Sequence, residues 1–475
     1  MTSSGRSFND IKLVFLGITI MLLACSYIAD AMVKNIIIGN TGVILPLFEV
    51  TASSGSAADI QTAVDQVAAV AERGKVHIPP GNFNFVNVGE EWRTVNVPAG
   101  IDILGASSPK EAVSEHAGIT HSGYFNEGFF DSPSSGTWLT VLQMPWDVPD
   151  FNNWFDIIGD WHSPKPTRFS DIKIQGYRSF NSSSITRHCG INIIGVIDFR
   201  IDHCMFEHVT WGAVGIPLLY QQNLECNGVI DHCKFINIHG YDNLVNGANS
   251  TIGYGISIGR AYYAASGQVP VPFDPTMDIL GKYNTHAVFI EDCYFSKWRH
   301  CVTAHHGGYY VFRHNIINLD FGHWSLDVHG LRDAEPNRCG GRGVEIYENV
   351  FGPTETTDEG AVLGHGTYIG VGQFGGGCGV FFNNIIDSSY TTLKLYPEDY
   401  VPSEIWHIQD WYMWSKKGTW IGNCDISAFD PSRNVVKDWA RDAGNSSDPN
   451  YPNVNESWAI AGYVPYTYPH PLTLG

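Results

Sequence analysis

Short runs of apolar and aromatic residues recur along the chain, each interrupted by one or two polar residues and then by a small residue. Aligned on a cysteine or asparagine at the fourth position, these runs form a hexamer. Its copies lie at residues 201–206, 230–235, 290–295, 312–317, 346–351, 381–386 and 421–426. Short segments rich in β-branched and aromatic residues are typical of strands, not of helices. The pattern predicts a protein built from one repeating strand unit.

The spacing of the hexamers predicts how the strands are connected. Neighbouring copies are 22 to about 40 residues apart, and self-similarity at such a period indicates a solenoid. A period of about 22 residues accommodates one coil of three short strands and three turns, with strands of neighbouring coils about 4.8 Å apart. Longer periods predict loops inserted at the turns. The gap of 60 residues between Cys233 and Cys293 predicts one further coil around residues 254–258.

The fourth position of the hexamer alternates between cysteine and asparagine. A slot shared by these two types predicts small buried side chains and not a disulfide framework, and it groups Cys204, Cys233, Cys293 and Cys424. Nine cysteines remain beyond Cys25, an odd number, so we expect at least one unpaired thiol.

Both ends of the solenoid need caps, because exposed sheet edges pair with other chains. At the N-terminal end, residues 56–59 resemble a capping box, and an apolar stripe predicts a helix that ends near Glu72. The stripe comprises Ile60, Val64, Val67 and Ala71. At the other end, residues 462–472 contain too many prolines for a ladder strand and predict an extended arm over the last coils.

These residues resemble a known superfamily. The segments 59–64 and 75–83, the hexamers, and the ending YTYPHPL at 466–472 are similar to pectate-lyase-like proteins of the pectin lyase fold, in particular to a poorly characterised secreted group. The resemblance covers about residues 50–472. It implies an all-β fold: a single-stranded right-handed parallel β-helix with an N-terminal capping helix and long turn insertions. It does not imply one chemistry, because the superfamily contains lyases, hydrolases, esterases, epimerases, tailspikes and non-catalytic surface proteins.

The chain organisation follows from these assignments. We expect a signal segment at 1–31, the β-helix with its N-terminal cap at 50–429, and a capping arm at 430–475. Arg6 and Lys12 precede an apolar run at 13–24, which is shorter than the roughly 20 residues of a membrane span.

Three interpretations of this signal segment stay open. Cleavage follows Ala31, or Cys25 is the lipidated residue of a lipoprotein signal, or the segment is an uncleaved anchor that continues into residues 35–47. Each one predicts an extracellular or cell-surface protein that meets the membrane only through this segment or a lipid anchor.

Charge narrows the partners. The net charge is −20 and only 16% of residues are charged, so nucleic acid is not an expected partner. The aromatic content of 13% suits a sugar ligand, since tryptophan and tyrosine faces stack on pyranose rings, and packing of long loops explains it equally well.

Candidate chemistry concentrates in residues 300–331. Short strands there and one coil later end in His-Gly, which predicts a column of histidines beside Asp327 on a solvent-facing side of the coil. The predicted catalytic residues are His305, His306, Asp327, His329, Arg332, Arg342 and His365. Three interpretations stay open: an acid–base site, because imidazole titrates near neutral pH, a metal site, or a structural stack of hydrogen-bonded imidazoles.

Cationic residues follow the histidines, and a β-elimination lyase requires them to neutralise a uronate carboxylate. We assign Arg338, Lys394 and Trp324 to substrate binding, while pairing of the loop arginines with Asp333 and Glu335 is the structural alternative. Calcium is implied by the resemblance only, and no other cofactor is identified.

The predicted function is a secreted carbohydrate-active β-helix protein, with cleavage of an acidic polysaccharide by β-elimination first and glycoside hydrolysis second. The alternative is a non-catalytic surface or adhesive β-helix that binds glycans or has a structural role. Convergence of Asp327, His329, Arg342 and His365 in an open groove would favour the enzyme.

Overall fold

The computed structural model describes most of the repeating coils. The described residues are 36–38, 44–87, 91, 93–107, 138–144, 152–176, 188–209, 212–216, 225–237, 253–259, 280–282, 287–296, 298–305, 307–318, 324–330, 340–352, 370–386, 391–395, 411–414, 423–425 and 463–474. Within them, one α-helix spans Ala57–Val70, a 3₁₀ helix spans Pro471–Leu474, and an antiparallel pair joins Ile36–Ile38 to Ile44–Pro46.

All other described strands belong to three parallel sheets. The first sheet contains Phe48–Thr51, Gly74–His77, Ile101–Leu104, Thr167–Ser170, Ile197–Asp202, Asn227–Asp231, Val288–Glu291, Tyr309–Arg313, Gly343–Tyr347, Cys378–Phe382 and Trp411–Trp414. The second sheet contains Gly81–Asn84, Thr140–Gln143, Lys173–Gln175, Met205–Glu207, Lys234–Ile236, Tyr294–Ser296, Ile316–Asn318, Val350–Gly352 and Ile385–Ile386. The third sheet contains Val95–Pro98, Asn152–Ile158, His188–Ile194, Gly212–Ile216, Tyr254–Gly259, His300–His305, Trp324–Val328, Gly370–Phe374, Thr391–Leu395 and Asn423–Asp425.

The chain visits the three sheets in a fixed order, and each circuit is one coil. Asn227–Asp231, Lys234–Ile236 and Tyr254–Gly259 form one such coil, and each strand pairs in parallel with its equivalent in the next coil. Parallel crossovers in proteins are right-handed almost without exception. The predicted right-handed parallel β-helix is therefore confirmed.

The hexamers form the turn between the first and second sheets. Their third residue takes a left-handed conformation, with φ between 51° and 57°, at His203, His232, Asp292, His314, Glu348 and Asn383. A left-handed residue there turns the chain sharply after each first-sheet strand. The fourth residue then points into the coil. The Asn349 side chain donates to the carbonyl of Phe312 and to Oδ1 of Asn384, both at 2.9 Å, which continues the ladder from coil to coil.

Cysteine fills the same slot in three coils, as predicted. Cys204, Cys233 and Cys293 are fully buried free thiols, and each donates to the carbonyl two residues earlier at 3.2 Å. Among the described residues, Cys189, Cys226, Cys301 and Cys378 are likewise thiols and not members of disulfides.

Two predictions about the repeat are wrong. Cys424 belongs to the third-sheet strand Asn423–Asp425, which pairs with Thr391–Leu395, so its hexamer does not form the first turn of a coil. The gap of 60 residues hides no additional coil, because Asp231 pairs directly with Glu291 and Lys234 with Tyr294. Tyr254–Gly259 is instead the third strand of the coil that contains Cys233.

The predicted capping helix is present over Ala57–Val70. Ser56 is its N-cap, and its side chain accepts a hydrogen bond from the backbone N–H of Asp59 at 3.2 Å. Ile60, Val64 and Val67 are fully buried against the first coils, as the apolar stripe predicts. The helix therefore covers the open end of the core.

Ser56→Ala should lower the free energy of unfolding by about 1 kcal/mol, because one N-terminal N–H of the helix loses its acceptor. Thermal and denaturant unfolding of the variant would measure the loss. Ser56→Asp, which keeps an acceptor, is the matched control and should be close to wild type. Equal stability of the alanine variant would contradict the assignment of the cap.

The proline-rich arm runs along the outer side of the first sheet over residues 463–470 and ends in the 3₁₀ helix, and its contacts reach from Phe382, near the last coils, back to Arg200. It therefore covers more of the sheet than the last coils alone. Arg313 donates to the carbonyls of Tyr466 and Thr467 at 3.1 and 3.0 Å, and Arg200 to that of Leu472 at 3.1 Å. These arginines belong to buried ion pairs with carboxylates on the adjacent strand. The arm is held there because its backbone carbonyls accept hydrogen bonds from these arginines in addition to their ion pairs.

The arm also contacts carboxyl groups of the same face. The Tyr463 hydroxyl donates to Oε2 of Glu345 at 2.6 Å, and the Tyr468 hydroxyl donates to Oδ1 of Asp292 at 2.7 Å. Burial raises the pKa of Asp292 to about 7, against the nearby positive charge of His232 and the Tyr468 hydrogen bond. The outer face of the first sheet is thus closed by polar contacts.

The predicted signal segment (1–31) lies outside the described residues, as do residues 430–462 of the predicted capping arm. None of the helices that the structure describes is long and apolar enough to cross a membrane.

Candidate functional site

The outer face of the third sheet carries a polar ladder. Thr303, Asp327, Gln373 and Lys394 occupy equivalent positions in four consecutive coils. Their neighbours along the strands point inward and are fully buried; these are Val302, Ala304, Leu326 and Val328. Because side chains alternate along a strand, the ladder faces away from the core. Asp327 points away from the core, as strand alternation predicts, but it is fully buried and not on the solvent-facing surface that was expected.

Asp327 is the centre of a hydrogen-bond cluster. Its Oδ2 accepts from the Thr303 hydroxyl at 2.9 Å and lies 2.8 Å from Nε2 of His329. Its Oδ1 accepts from Nε2 of Gln373 at 2.9 Å. The carboxylate is fully buried, although it lies outside the coil interior. Its oxygens are therefore satisfied by side chains of its own coil and of the coils on both sides.

Two histidines stack beside this carboxylate. The rings of His305 and His329 are 4.4 Å apart at an interplanar angle of 18°. Nε2 of His305 lies 3.1 Å from the Thr303 hydroxyl, so this ring reaches Asp327 through Thr303. His329 is 8% exposed and His305 is more exposed, which makes His305 the outer member of the cluster.

The histidines determine the charge state of Asp327. Burial by itself raises the pKa of a carboxyl group, but electrostatic interaction with His329, His300 and His305, together with the His329 hydrogen bond, outweighs it. The pKa of Asp327 is held well below its usual value. At neutral pH the cluster is a buried carboxylate that holds imidazole N–H groups.

The predicted residues divide into those the structure brings together and those it separates. His305, Asp327 and His329 converge. Lys394 is partly exposed on the same ladder, two coils beyond Asp327. Arg342 is buried in the turn before Gly343–Tyr347, where its backbone bonds to Gly308 and Cys378.

Trp324 is 5% exposed and does not form an open platform. Its ring packs directly over Gly370 and leaves no room there for a Cβ atom. Its carbonyl oxygen lies 2.6 Å from Nδ1 of the fully buried His300. The side chain therefore supports the strand that carries Asp327.

Four predicted site residues lie outside the described residues: His306, Arg332, Arg338 and His365. Their assignment stays a prediction. Among the described residues, no group of three histidine, cysteine or acidic side chains is placed to hold a metal ion.

Thr303 and Gln373 also belong to the cluster, although neither is among the site residues predicted from the sequence. A signal for Thr303 exists, since Thr303-Ala304-His305 and Asp327-Val328-His329 share one spacing in consecutive coils. Gln373 has no such signal, because its position depends on the register of a strand reached through a long insertion.

Sequence comparison with known proteins shows similarity over a limited part of the chain. No family model matches the chain. A 98-residue segment is 33% identical to the bifunctional protein GlmU of Enterococcus faecalis, which amounts to 20% of this chain and 21% of that protein. The chain thus spans about a fifth of the length of the curated relative that it matches.

Solved structures give broad but weak likeness. A thermostable α-1,3-glucanase of Streptomyces thermodiastaticus has a TM-score of 0.38 at 12% identity, over 74% of this chain and 56% of that chain. An alginate lyase of Paenibacillus has a TM-score of 0.35 at 10% identity, over 79% and 97%. The tailspike of the Escherichia coli bacteriophage HK620 has a TM-score of 0.39 at 12% identity, over 84% and 66%. Such scores decide nothing about function, and the fold rests on the strand pairing above.

The strand pairing and the cluster together define the class: a three-sheet parallel β-helix protein with a histidine–carboxylate cluster on the outer face of its third sheet. This is the architecture that the repeating strand pattern of the sequence predicts.

Proposed function

We propose that the protein is a carbohydrate-active β-helix that cleaves an acidic polysaccharide by β-elimination at the third sheet. One observation carries the proposal: Nε2 of His329 lies 2.8 Å from the buried, ionised carboxylate of Asp327. A carboxylate that holds one ring nitrogen of a histidine fixes its tautomer and stabilises the imidazolium that forms when the other nitrogen accepts a proton.

The chemistry of β-elimination suits this pair. His329 would remove the proton at C5 of a uronate, the C4–O4 bond would break as the C4–C5 double bond forms, and the departing oxygen would take up a proton. Lys394 lies on the same ladder and would neutralise the uronate carboxylate, which makes the C5 proton more acidic. The proposed substrate class is therefore the uronate-containing polysaccharides.

The test is a screen of uronate polysaccharides for the ultraviolet absorbance of an unsaturated product, with wild type and His329→Ala in parallel. We expect activity on one polymer and a loss of about 10²-fold to 10⁴-fold in kcat for the variant. His162→Ala, which removes an exposed histidine in the turn after Asn152–Ile158, is the matched control and should be fully active. Absence of product across the panel would contradict the lyase.

A non-catalytic glycan-binding protein is the second candidate. The observation in its favour is the low exposure of the cluster: Asp327 is fully buried and His329 is 8% exposed. Binding of a uronate oligosaccharide without turnover, unchanged in the His329→Ala variant, would favour this candidate over the enzyme.

A further inference from the structure

Thr303 occupies a position between two functional groups. Its single hydroxyl lies 2.9 Å from Oδ2 of Asp327 and 3.1 Å from Nε2 of His305. The same Oδ2 is 2.8 Å from Nε2 of His329. Both stacked imidazoles are therefore joined to one carboxylate oxygen, His329 directly and His305 through the threonine.

The number of hydrogens that each group carries determines which atom donates in each hydrogen bond. An ionised carboxylate only accepts, so the one hydroxyl proton of Thr303 goes to Asp327. The Thr303 oxygen is then an acceptor toward His305, whose Nε2 must carry a proton. His329 likewise donates from Nε2 to Asp327. Both rings thus carry a proton on Nε2, and in both rings the proton that comes and goes is the one on Nδ1.

We propose that Thr303 is a positioning residue that couples His305 and His329 to Asp327, so that the two rings act as one acid–base unit holding a single positive charge. The catalytic part of this inference rests on the proposed function. One carboxylate compensates one imidazolium. A second positive charge would lie 4.4 Å from the first and be repelled by it.

This arrangement supplies both proton transfers of an elimination. The reactive form of the unit has His305 charged and His329 neutral. His329 Nδ1 takes the C5 proton, the C4–O4 bond breaks as the C4–C5 double bond forms, and His305 Nδ1–H gives its proton to the departing O4. The unit ends with His329 charged and His305 neutral, so its net charge is unchanged. The solvent then returns the protons to their starting sites.

The coupling can be measured without any substrate. Nitrogen-15 NMR of histidine-labelled full-length protein reports the tautomer and titration of each ring, with His305→Gln and His329→Gln used to assign the signals. In wild type we expect Nε2–H tautomers for both rings and two titration steps more than about one pH unit apart. In Thr303→Val we expect His305 to lose its tautomer preference, while Thr303→Ser retains it. Thr62→Val, on the exposed face of the capping helix, is the matched control.

Unchanged His305 signals in Thr303→Val would overturn the proposal. If the valine variant does not fold, Thr303→Ala takes its place, and equal His305 titration in the alanine and serine variants would overturn it as well. Kinetics provide the second readout: Thr303→Val should lower kcat by about 10²-fold, leave KM unchanged and remove one limb of the pH profile, with rescue by serine. Coupled titration in a protein that turns over no uronate polymer would support the coupling and refute the proposed function.

Discussion

Asp327→Asn is expected to lower kcat by about 10⁴-fold while the protein remains folded, by analogy with removal of the carboxylate from a histidine–carboxylate pair. The substitution keeps the shape of the side chain but removes the charge. His329 then loses the group that fixes its tautomer and stabilises its protonated form. The expected loss exceeds that of Thr303→Val, because both histidines depend on the same carboxylate.

Steady-state kinetics on the uronate polymer found by the screen, together with thermal unfolding, would check this expectation. Asp156→Asn is the matched control, because Asp156 has the equivalent third-sheet position in an earlier coil of the β-helix. Its carboxylate accepts from Asn153 and Asn192 at 2.7 and 2.9 Å. It should leave kcat within a small factor of wild type. A similar loss of activity in both variants would mean that the ladder is needed for structure and would count against a catalytic role.

The pH dependence of stability follows from the same group. Because the folded-state pKa of Asp327 lies below its ordinary value, its ionised form contributes stability that is fully present above the ordinary value. That contribution is lost as the pH falls through the lower, folded-state value. The wild-type protein should therefore lose stability in acid more steeply than the asparagine variant.

Arg313→Met should destabilise the protein by about 3–5 kcal/mol, because it leaves a buried carboxylate without its cation. Arg313 is fully buried, and its Nη2 lies 2.7 Å from Oε2 of the equally buried Glu291. The substitution also removes the donors to Tyr466 and Thr467. We therefore expect the arm to loosen as the protein loses stability.

Denaturant unfolding and proteolysis of the arm would measure the two effects. The double variant Arg313→Met with Glu291→Gln removes both charges, so it should regain much of the lost stability. Lys165→Met removes a partly exposed partner of Glu72 and should change stability by no more than about 1 kcal/mol. An Arg313→Met loss no larger than that of Lys165→Met would contradict the importance of the buried pair.

The repeating parts of this fold could be predicted because consecutive coils repeat the same short sequence pattern. A left-handed residue followed by cysteine or asparagine appears in six hexamers, and each one forms the turn between the first and second sheets. The seventh hexamer has the same pattern, but its residues Asn423–Asp425 form a strand of the third sheet. Local pattern does not distinguish these cases, because the sheet that a strand joins depends on the length of the preceding insertions.

The candidate site was predictable in part for the same reason. Asp327 and His329 follow from strand alternation, and His305 from the repeated spacing. Gln373 and the position of Arg342 depend on how coils align after long insertions, which no short motif records. The path of the arm was not predictable from its prolines, because its position is set by Arg200 and Arg313, whose partners are revealed only by the register of the first sheet.

Because the chain is synthesised from its N-terminus, the arm is made after the strands that it contacts. Leu472 follows Arg200 by 272 residues, and Thr467 follows Arg313 by 154. Contacts at such sequence separation form late, because the intervening chain must first be ordered. During synthesis the charged face of the first sheet therefore stays hydrated until residues 463–474 emerge. A ribosome stalled shortly before residue 463 should display stacked coils whose buried ion pairs are still open to water, a state that hydrogen exchange of nascent chains can detect.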